Sequence, residues 1–584
     1  MRKIGCWDTR VLARVSNRSK LAVEDRRKGV RVPLGLTIGF AGVLLCCALL
    51  SASSASAQST PPTFTDYQSF AAWMRKLHKA PFMGNAALKA KQVAARPSKT
   101  GAPSPVVPQT ASAAAEVSGA AAATTAATAT TSDVSVQVNQ DKNPWQKVSV
   151  AAAVDPKNPK HIVVLSDDFR DGFQRVFFHV STDGGKKWTD DYLTDSADPG
   201  LNGLPFATQH SAKIGFDSEG NTSVVHLSSN NIIQSNNGLI SFANLDTQID
   251  LIQGFKNGAY VSQRTIPIAH ASCGGTDLTG ITCDTVLDMP GIKVDANKNS
   301  PNNGTTYIYF TMFCNSSTPG GCGLDQNGNP ATQSSSIMEW DSGLGPFDQF
   351  NPEPRLVSGF THPNAQFADM VIDSHGTPHI FFEDFDSMGN AGIWESTLQD
   401  GMWTVGKSEI TEFQSLGNGN AGWNFDTSGS LALSCAIAAD DTTYCTFAAN
   451  AVPNQPGSVG FGPKTFIVMI DPIAGTGTAF LEDFSGTAHL FPSVTVTPDG
   501  TAYVGWYDNR NDPTGEQLQY FVKAGTGGER ALSGLFDPCV GQKNCAYFGE
   551  FDQLASGPDG IVHATWADTR DGVSMQIYTE AIEP

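Results

Sequence analysis

The stretch Asp499-Gly-Thr-Ala-Tyr-Val-Gly-Trp-Tyr-Asp-Asn-Arg510 recurs, without a gap, as Asp559-Gly-Ile-Val-His-Ala-Thr-Trp-Ala-Asp-Thr-Arg570. Both copies open with an Asp-Gly pair, continue with an alternating apolar segment, and share a tryptophan, an aspartate and an arginine at matching positions. A turn followed by alternation of this kind is typical of a half-buried β-strand. The repeat therefore predicts a chain built from successive strand units.

Five other segments follow the same register of turn and strand, which brings the number of copies to seven. They are Gly220–His226, Gly304–Phe310, Gly376–Phe382, His161–Arg170 and, more weakly, Asp440–Phe447. Other short strands precede and follow these segments. Units of about 60–80 residues, each a small antiparallel sheet, indicate a β-propeller. We therefore predict an all-β fold, a β-propeller with seven blades, with an open array of sandwiches as the alternative.

The two ends of the repeat region indicate how the ring closes. The last unit ends at Met575–Ile582 with only three strands, whereas the repeat region opens with a lone strand at Val134–Val138. We expect this first strand to complete the last blade. Pairing the two ends would cover sheet edges that otherwise template aggregation.

The first 57 residues predict a secretory signal peptide. A basic stretch, Arg14–Arg31, precedes the apolar run Val32–Leu50, and an Ala55-x-Ala57 cleavage site follows. An uncleaved membrane anchor is the alternative, because the run approaches the length of about 20 residues that a membrane span needs. We expect a protein that is secreted, periplasmic or held at the cell surface.

Residues 58–132 predict a tail and linker. Alanine, threonine, proline and serine dominate this segment, and only the part near residues 66–80 has apolar residues at helical spacing. The propeller is accordingly assigned to residues 133–584.

Charge and cysteine content limit the classes of binding partner and the cellular compartment that we expect for this protein. The chain has a net charge of −19, and from residue 101 onward it holds 21 basic and 53 acidic residues. A body this acidic does not favour nucleic acid, whereas neutral glycans or cations remain compatible with it. Eight cysteines of the body form close pairs, which predict the disulfides Cys273–Cys283, Cys314–Cys322, Cys435–Cys445 and Cys539–Cys545.

One motif carries a family resemblance. Ser181-Thr-Asp183-Gly-Gly185-Lys-Lys-Trp188 has the S-x-D-x-G-x-x-W pattern of an Asp box, and it follows the strand Arg175–Val180. The chain resembles the bacterial neuraminidase repeat, or Asp-box, sialidase-like propellers. Its segment Gly549-Glu-Phe-Asp552 leading to Trp566 looks like the end of the secreted exo-α-sialidase type. The resemblance implies a propeller that binds or hydrolyses glycans, and it keeps a six-bladed ring as the alternative to seven.

Polar residues recur at the ends of the aligned strands and form the candidate ligand site. The aspartates are Asp168, Asp508 and Asp568, and the arginines two positions later are Arg170, Arg510 and Arg570. Guanidinium groups are suited to binding carboxylate or sulfate. The resemblance implies that this end of each blade opens onto the site. The alternative is that each aspartate pairs with its own arginine and ties down its strand end.

The candidate catalytic residues lie near the same strand ends. They are Glu383, Asp384, Tyr507, Glu550 and Asp552. Glycoside cleavage generally uses two carboxylates, or a tyrosine in sialidases, and any pair here could act as acid and base if burial separates their pKa values. A glycoside hydrolase and a non-catalytic surface or interaction propeller therefore both remain open.

No metal site or cofactor is assigned. Two loops, Asp295–Asn299 and Asp325–Asn329, place oxygen ligands at alternate positions, which keeps calcium open. Both lack the distal glutamate of an EF-hand loop, which favours ordinary polar loops.

Overall fold

The computed structural model divides into two units, residues 1–60 and 61–584. All residues that can be described belong to the second unit. The structure describes residues 135–584 apart from 171–173, 194–207, 230–231, 235–239, 243–246, 257–258, 272, 275–281, 284, 315–333, 344–353, 387–389, 407–408, 415–431, 451–462, 472–476, 482–487, 542–547 and 550. Among these residues there is no helix, and no helix long and apolar enough to span a membrane was found in this part of the chain.

Seven antiparallel sheets follow one another along the chain as blades 1 to 7. Blade 1 contains β2 (Lys147–Asp155), β3 (Asn158–Asp168), β4 (Arg175–Ser181) and β5 (Thr189–Tyr192). Blade 2 contains β6 (Thr208–Phe216), β7 (Asn221–Ser229), β10 (Thr247–Lys256) and β11 (Ala259–Ala271). Blade 3 contains β14 (Thr285–Val294), β15 (Thr306–Cys314), β16 (Ser335–Asp341) and β17 (Arg355–Leu356). Two small hairpins stand apart, formed by β8 (Ile232–Gln234) with β9 (Ile240–Phe242) and by β12 (Cys273–Gly274) with β13 (Thr282–Cys283).

The remaining blades have the same order. Blade 4 contains β18 (Ala365–Ile372), β19 (Pro378–Phe385), β20 (Asn390–Gln399) and β21 (Met402–Val405), with β22 (Thr411–Gln414) also paired to β20. Blade 5 contains β23 (Ser434–Ile437), β24 (Thr443–Ala449), β25 (Lys464–Ile470) and β26 (Gly477–Leu481). Blade 6 contains β27 (His489–Val496), β28 (Ala502–Asp508), β29 (Gln519–Ala524) and β30 (Glu529–Ala531). Blade 7 contains β31 (Gln553–Ser556), β32 (Val562–Asp568), β33 (Gln576–Ile582) and β1 (Val136–Gln137).

The ring is closed at blade 7, as predicted. Strand β1 pairs with β33, so the start of the body supplies the outermost strand of the last blade. The first strands of consecutive blades contact one another around the ring, and β31 of blade 7 contacts β2 of blade 1. The fold is therefore a seven-bladed propeller, and the six-bladed alternative is wrong.

Five of the seven innermost strands, as far as they are described, carry a β-bulge near their beginning. Five non-glycine residues at these bulges have φ between 51° and 54°, and they are Ser149, Ser211, Met289, Phe367 and Phe491. The pairing register shifts at each of these points. A bulge bends its strand and changes the direction of the side chains that follow. In blades 2, 3, 4 and 6, residues at or after these bulges line a cavity on the axis.

Apolar side chains fill the spaces between blades. The largest cluster lies where blades 6, 7 and 1 meet, and in it Trp566 stacks on Tyr520 with ring centroids 5.3 Å apart. Trp188 of the Asp box belongs to the same cluster. Each buried aromatic or aliphatic side chain of this kind stabilises the fold by about 1.5–3 kcal/mol. The seam at which the ring closes is thus also its most extensive apolar contact.

The Asp box forms the turn between β4 and β5. The backbone N–H groups of Lys186 and Lys187 donate to Asp183 Oδ1 at 3.1 and 2.9 Å. Trp188 Nε1 donates to the carbonyl of Gly185 at 3.0 Å. The aspartate thus caps the turn while the tryptophan joins the core, so this motif serves folding.

The disulfide Cys435–Cys445 is present and joins opposite residues of β23 and β24. Cys273 and Cys283 are directly opposite each other in the β12–β13 pair, which agrees with their predicted pairing. Cys314 and Cys539 are each disulfide-bonded. Their predicted partners, Cys322 and Cys545, lie outside the described residues.

Candidate functional site

The predicted arginines each bind the aspartate two residues before them. Arg170 Nε donates to Asp168 at 2.8 Å, Arg510 Nε to Asp508 at 2.5 Å, and Arg570 Nε to Asp568 at 2.9 Å. All three aspartates are fully buried. These contacts are the ones expected if each pair ties down its own strand end.

Each guanidinium also covers an aromatic ring on the next strand of its blade. Arg170 lies 4.0 Å from the ring centre of Phe177, and Arg570 lies 4.0 Å from that of Tyr578. Arg510 lies 4.4 Å from Phe521 and also pairs with Glu529. Cation–π contacts of this kind add to the stabilisation that the ion pairs provide. A role for these arginines in binding a ligand stays a prediction.

Glu383 and Asp384 lie at the end of β19. Asp384 contacts His362 Nδ1 and accepts a hydrogen bond from the backbone N–H of Asn364, both at 3.1 Å. Glu383 is fully buried, and burial raises its pKa well above the ordinary value. Among the residues that the structure describes, neither of its carboxylate oxygens has a hydrogen-bond partner. Glu550 lies outside the described residues.

A cavity of about 240 Å³ lies on the axis of the ring. The innermost strands of blades 2 to 7 line it, together with Tyr309 of β15. Several lining residues occupy equivalent positions in their blades. Each pairs across the sheet with a residue of the second strand, the fifth residue after the turn that precedes that strand. They are Lys213, Gly291, Asp369, Ser434 and Gln553. None of the three Asp-x-Arg pairs belongs to this described lining.

Blade 1 contributes no residue to the described lining of the cavity, whereas Lys213 of blade 2 does. Its ammonium group lies 3.6 Å from the ring centre of Phe551, which precedes β31 of blade 7. The equivalent residue of blade 1 is Ala151, which is too short to reach the axis. The lysine of blade 2 therefore extends past blade 1 to its second neighbour.

Asp552, a predicted catalytic residue, lies beside Phe551 on the wall of the cavity. Tyr507, another predicted residue, lies close enough to influence the pKa of Asp552, so the structure brings these two together. The Tyr507 hydroxyl donates to the carbonyl of Ala567 at 2.9 Å. Burial raises the pKa of Asp552 well above its ordinary value, although Tyr507 and the charge of Lys213 oppose the shift. Burial thus favours the protonated form of Asp552.

Asp369 of blade 4 is the second carboxyl group on the cavity wall. Its Oδ1 accepts hydrogen bonds from the Tyr309 hydroxyl at 2.5 Å and from the backbone N–H of Met370 at 2.8 Å. Its Oδ2 accepts from the backbone N–H of Cys435 at 2.7 Å. Lys293 Nζ lies 3.7 Å from Oδ1. Three hydrogen-bond donors and one nearby ammonium group thus surround the Asp369 carboxyl group.

No sequence motif marks Asp369, Tyr309, Lys213 or Lys293 as a candidate site residue. The one sequence signal for Asp369 and Lys213 is that both occupy the axis-facing position of the repeat. Tyr309 is opposite Gly291 within blade 3, and its contact with Asp369 of blade 4 depends on packing between blades.

The first of the two calcium-like loops uses its oxygens internally. Asp295 Oδ1 accepts from the backbone N–H of Asn297 at 2.9 Å, and Asn297 Oδ1 accepts from Asn299 at 3.0 Å. The loop Asp325–Asn329 lies outside the described residues. Within the described part of the chain there is no group of three or more His, Cys, Asp or Glu side chains that could hold a metal ion.

Comparisons with known proteins find similarity among solved structures. The α-L-arabinanase of Penicillium chrysogenum, complexed with arabinobiose, is 10% identical over 77% of this chain and 98% of its own, with a TM-score of 0.39. The GH93 α-L-arabinofuranosidase of Fusarium graminearum is 10% identical over 77% and 97%, with a TM-score of 0.37. The intramolecular trans-sialidase of Ruminococcus gnavus is 13% identical over 63% and 91%, with a TM-score of 0.31. No protein-family model and no curated protein matches the sequence.

Proposed function

We propose that this protein is a secreted or cell-surface propeller that binds extracellular glycans in its axial cavity and hydrolyses a glycosidic bond there. One observation carries the proposal: Asp552 and Asp369 line the same cavity in contrasting environments. Their blades, 7 and 4, stand three places apart in the ring, so the two carboxyl groups approach the axis from different sides.

The contrast matches the division of labour in glycoside hydrolysis. One carboxylic acid protonates the leaving oxygen, and a second carboxylate activates water or attacks the sugar. Burial raises the pKa of Asp552 well above its ordinary value, which suits the first role. Three hydrogen bonds hold the Asp369 carboxyl group in one orientation, which suits the second role.

The charged residues of the cavity wall also indicate which class of glycan the cavity would bind. Lys213 and Lys293 place two ammonium groups on it. Two ammonium groups on the wall of one cavity attract negative charge, which favours a sugar that carries a carboxylate or sulfate. The predicted resemblance to sialidase-like propellers points in the same direction.

The test is turnover by the purified full chain on fluorogenic sialosides, uronides and arabinosides. We expect Asp552→Asn and Asp369→Asn each to lower kcat by about 10²–10⁴-fold while the melting temperature stays close to that of the parent protein. Asp373→Asn is the matched control, because Asp373 lies on the same blade as Asp369 and serves the turn between β18 and β19.

Two results would overturn the proposal. Full turnover by a folded Asp552→Asn variant would remove the acid from the mechanism. If the parent protein cleaves nothing, the alternative of a non-catalytic interaction propeller takes its place, and binding to a glycan array becomes the relevant measurement.

A further inference from the structure

Tyr309 reaches the axial cavity from the second strand of its blade, across the innermost strand. Its partner in the β14–β15 register is Gly291. A Cβ atom at Gly291 would lie 2.0 Å from Tyr309 Cζ and 2.3 Å from its hydroxyl oxygen. The phenol ring therefore occupies the space that any other side chain at position 291 would need. Glycine at this position is what lets a second-strand residue extend to the axis.

The hydroxyl of Tyr309 ends 2.5 Å from Asp369 Oδ1, to which it donates. The other carboxylate oxygen is held by the backbone N–H of Cys435 in blade 5, which the Cys435–Cys445 disulfide links to the neighbouring strand. The Asp369 side chain is therefore fixed by donors from blades 3, 4 and 5. Lys293, at 3.7 Å, is a longer contact than any of these hydrogen bonds.

The phenol stays protonated in this environment. Burial raises the pKa of Tyr309 well above its ordinary range, and the charge and hydrogen bond of Asp369 raise it further. The hydroxyl can consequently act as a permanent donor toward the carboxylate. It holds one oxygen of Asp369 and so limits rotation of the group.

We infer that Tyr309 is a positioning residue for Asp369, and that Gly291 provides the passage through which it acts. The catalytic consequence of this inference rests on the proposed function. Its structural part, the orientation of the Asp369 carboxylate, can be measured without any turnover.

The experiment compares Tyr309→Phe with Tyr307→Phe in the full chain. Tyr307 is buried on the same strand and in the same apolar cluster, but it is not part of the described cavity lining, so its variant controls for the loss of one phenol hydroxyl from blade 3. We expect Tyr309→Phe to lower kcat by about 10–100-fold with KM nearly unchanged, because a misplaced reacting group costs rate rather than binding. Crystal structures of both variants should show Asp369 rotated in Tyr309→Phe alone.

Each outcome decides the inference. Unchanged kcat, or an Asp369 carboxylate that keeps its orientation in Tyr309→Phe, would overturn it. An equal fall in kcat for both phenylalanine variants would also overturn it, because the effect would then be general loosening of blade 3. If the parent protein has no turnover, the proposed function fails while the crystal structures still decide whether Tyr309 orients Asp369.

Discussion

The strand-end pairs and the axis-facing positions are two sets of equivalent residues in one ring, and they behave differently. At the strand ends, the same Asp-x-Arg pair recurs in blades 1, 6 and 7, and each arginine binds its own aspartate. At the equivalent register position of the innermost strands, the seven blades place six residue types, and the residues are Ala151, Lys213, Gly291, Asp369, Ser434, Ser493 and Gln553. Repeated residues thus build the scaffold, whereas the variable position makes the cavity wall asymmetric.

The largest expected effect tests whether the strand-end pairs are structural. Asp508 is fully buried and contacts Arg510, His489 and the Trp506 indole. We expect Asp508→Ala to lower the free energy of unfolding by about 3–5 kcal/mol, because it leaves a partly buried cation without its main partner. Urea unfolding at neutral pH measures this change.

The control for Asp508→Ala is Glu516→Ala, a substitution of an exposed carboxylate on the same loop. Its effect should stay within about 0.5 kcal/mol. If Asp508→Ala instead folds as well as the parent protein and loses glycan binding, the ligand site lies at the strand ends. The strand-end pairs would then not be purely structural.

The second largest effect is the change in the free energy of unfolding that each of the two regions contributes as the pH falls. Burial alone would raise the pKa of Asp508, but the hydrogen bond and charge of His489, together with Arg510, outweigh burial and lower it to about 2 from 3.8. The stabilisation from this group is therefore complete above pH 3.8 and is lost as the pH falls toward 2. We expect a loss on the order of 2 kcal/mol.

Urea midpoints measured from pH 5 to pH 2 check this dependence, with Asp508→Asn as the variant that should lack it. The pH dependence that Asp552 contributes to stability has the opposite sign, because its raised pKa makes the folded state hold its proton more tightly than the unfolded state does. Its contribution therefore declines as the pH rises above the ordinary carboxyl range. A steeper acid dependence in Asp508→Asn than in the parent protein would contradict the assignment.

The smallest expected effect on stability concerns Gly291, next to the axial cavity. Gly291→Ala places a methyl group where the Tyr309 ring lies, so the ring must shift. We expect a cost on the order of 1 kcal/mol in unfolding free energy together with a fall in kcat like that of Tyr309→Phe. Gly528→Ala, at a site where an added Cβ meets no atom within 4 Å, is the control. Parental activity in Gly291→Ala would show that Tyr309 does not need its present path.

Much of the scaffold could be predicted from single residues and their spacing. The turn register identified all seven second strands, and the lone strand near Val136 was correctly assigned to the last blade. For the site, Tyr507 and Asp552 were singled out and do meet, whereas Glu383 is enclosed between strands. Asp369 escaped notice because an aspartate in an otherwise apolar innermost strand has no motif around it. Its significance appears only when seven strands are placed around one axis.

The repeat, the alternation of each strand and the Asp-box turn follow from the amino-acid sequence alone. These features depend on neighbours close along the chain or on a period that recurs. Which residues share the cavity depends instead on the three-dimensional arrangement of the blades. Tyr309, Asp369 and Cys435 come from three blades, and Lys213 meets Phe551 across more than 300 positions of sequence. Such contacts depend on ring closure and on the bulges that turn side chains toward the axis, and neither is encoded within any one blade.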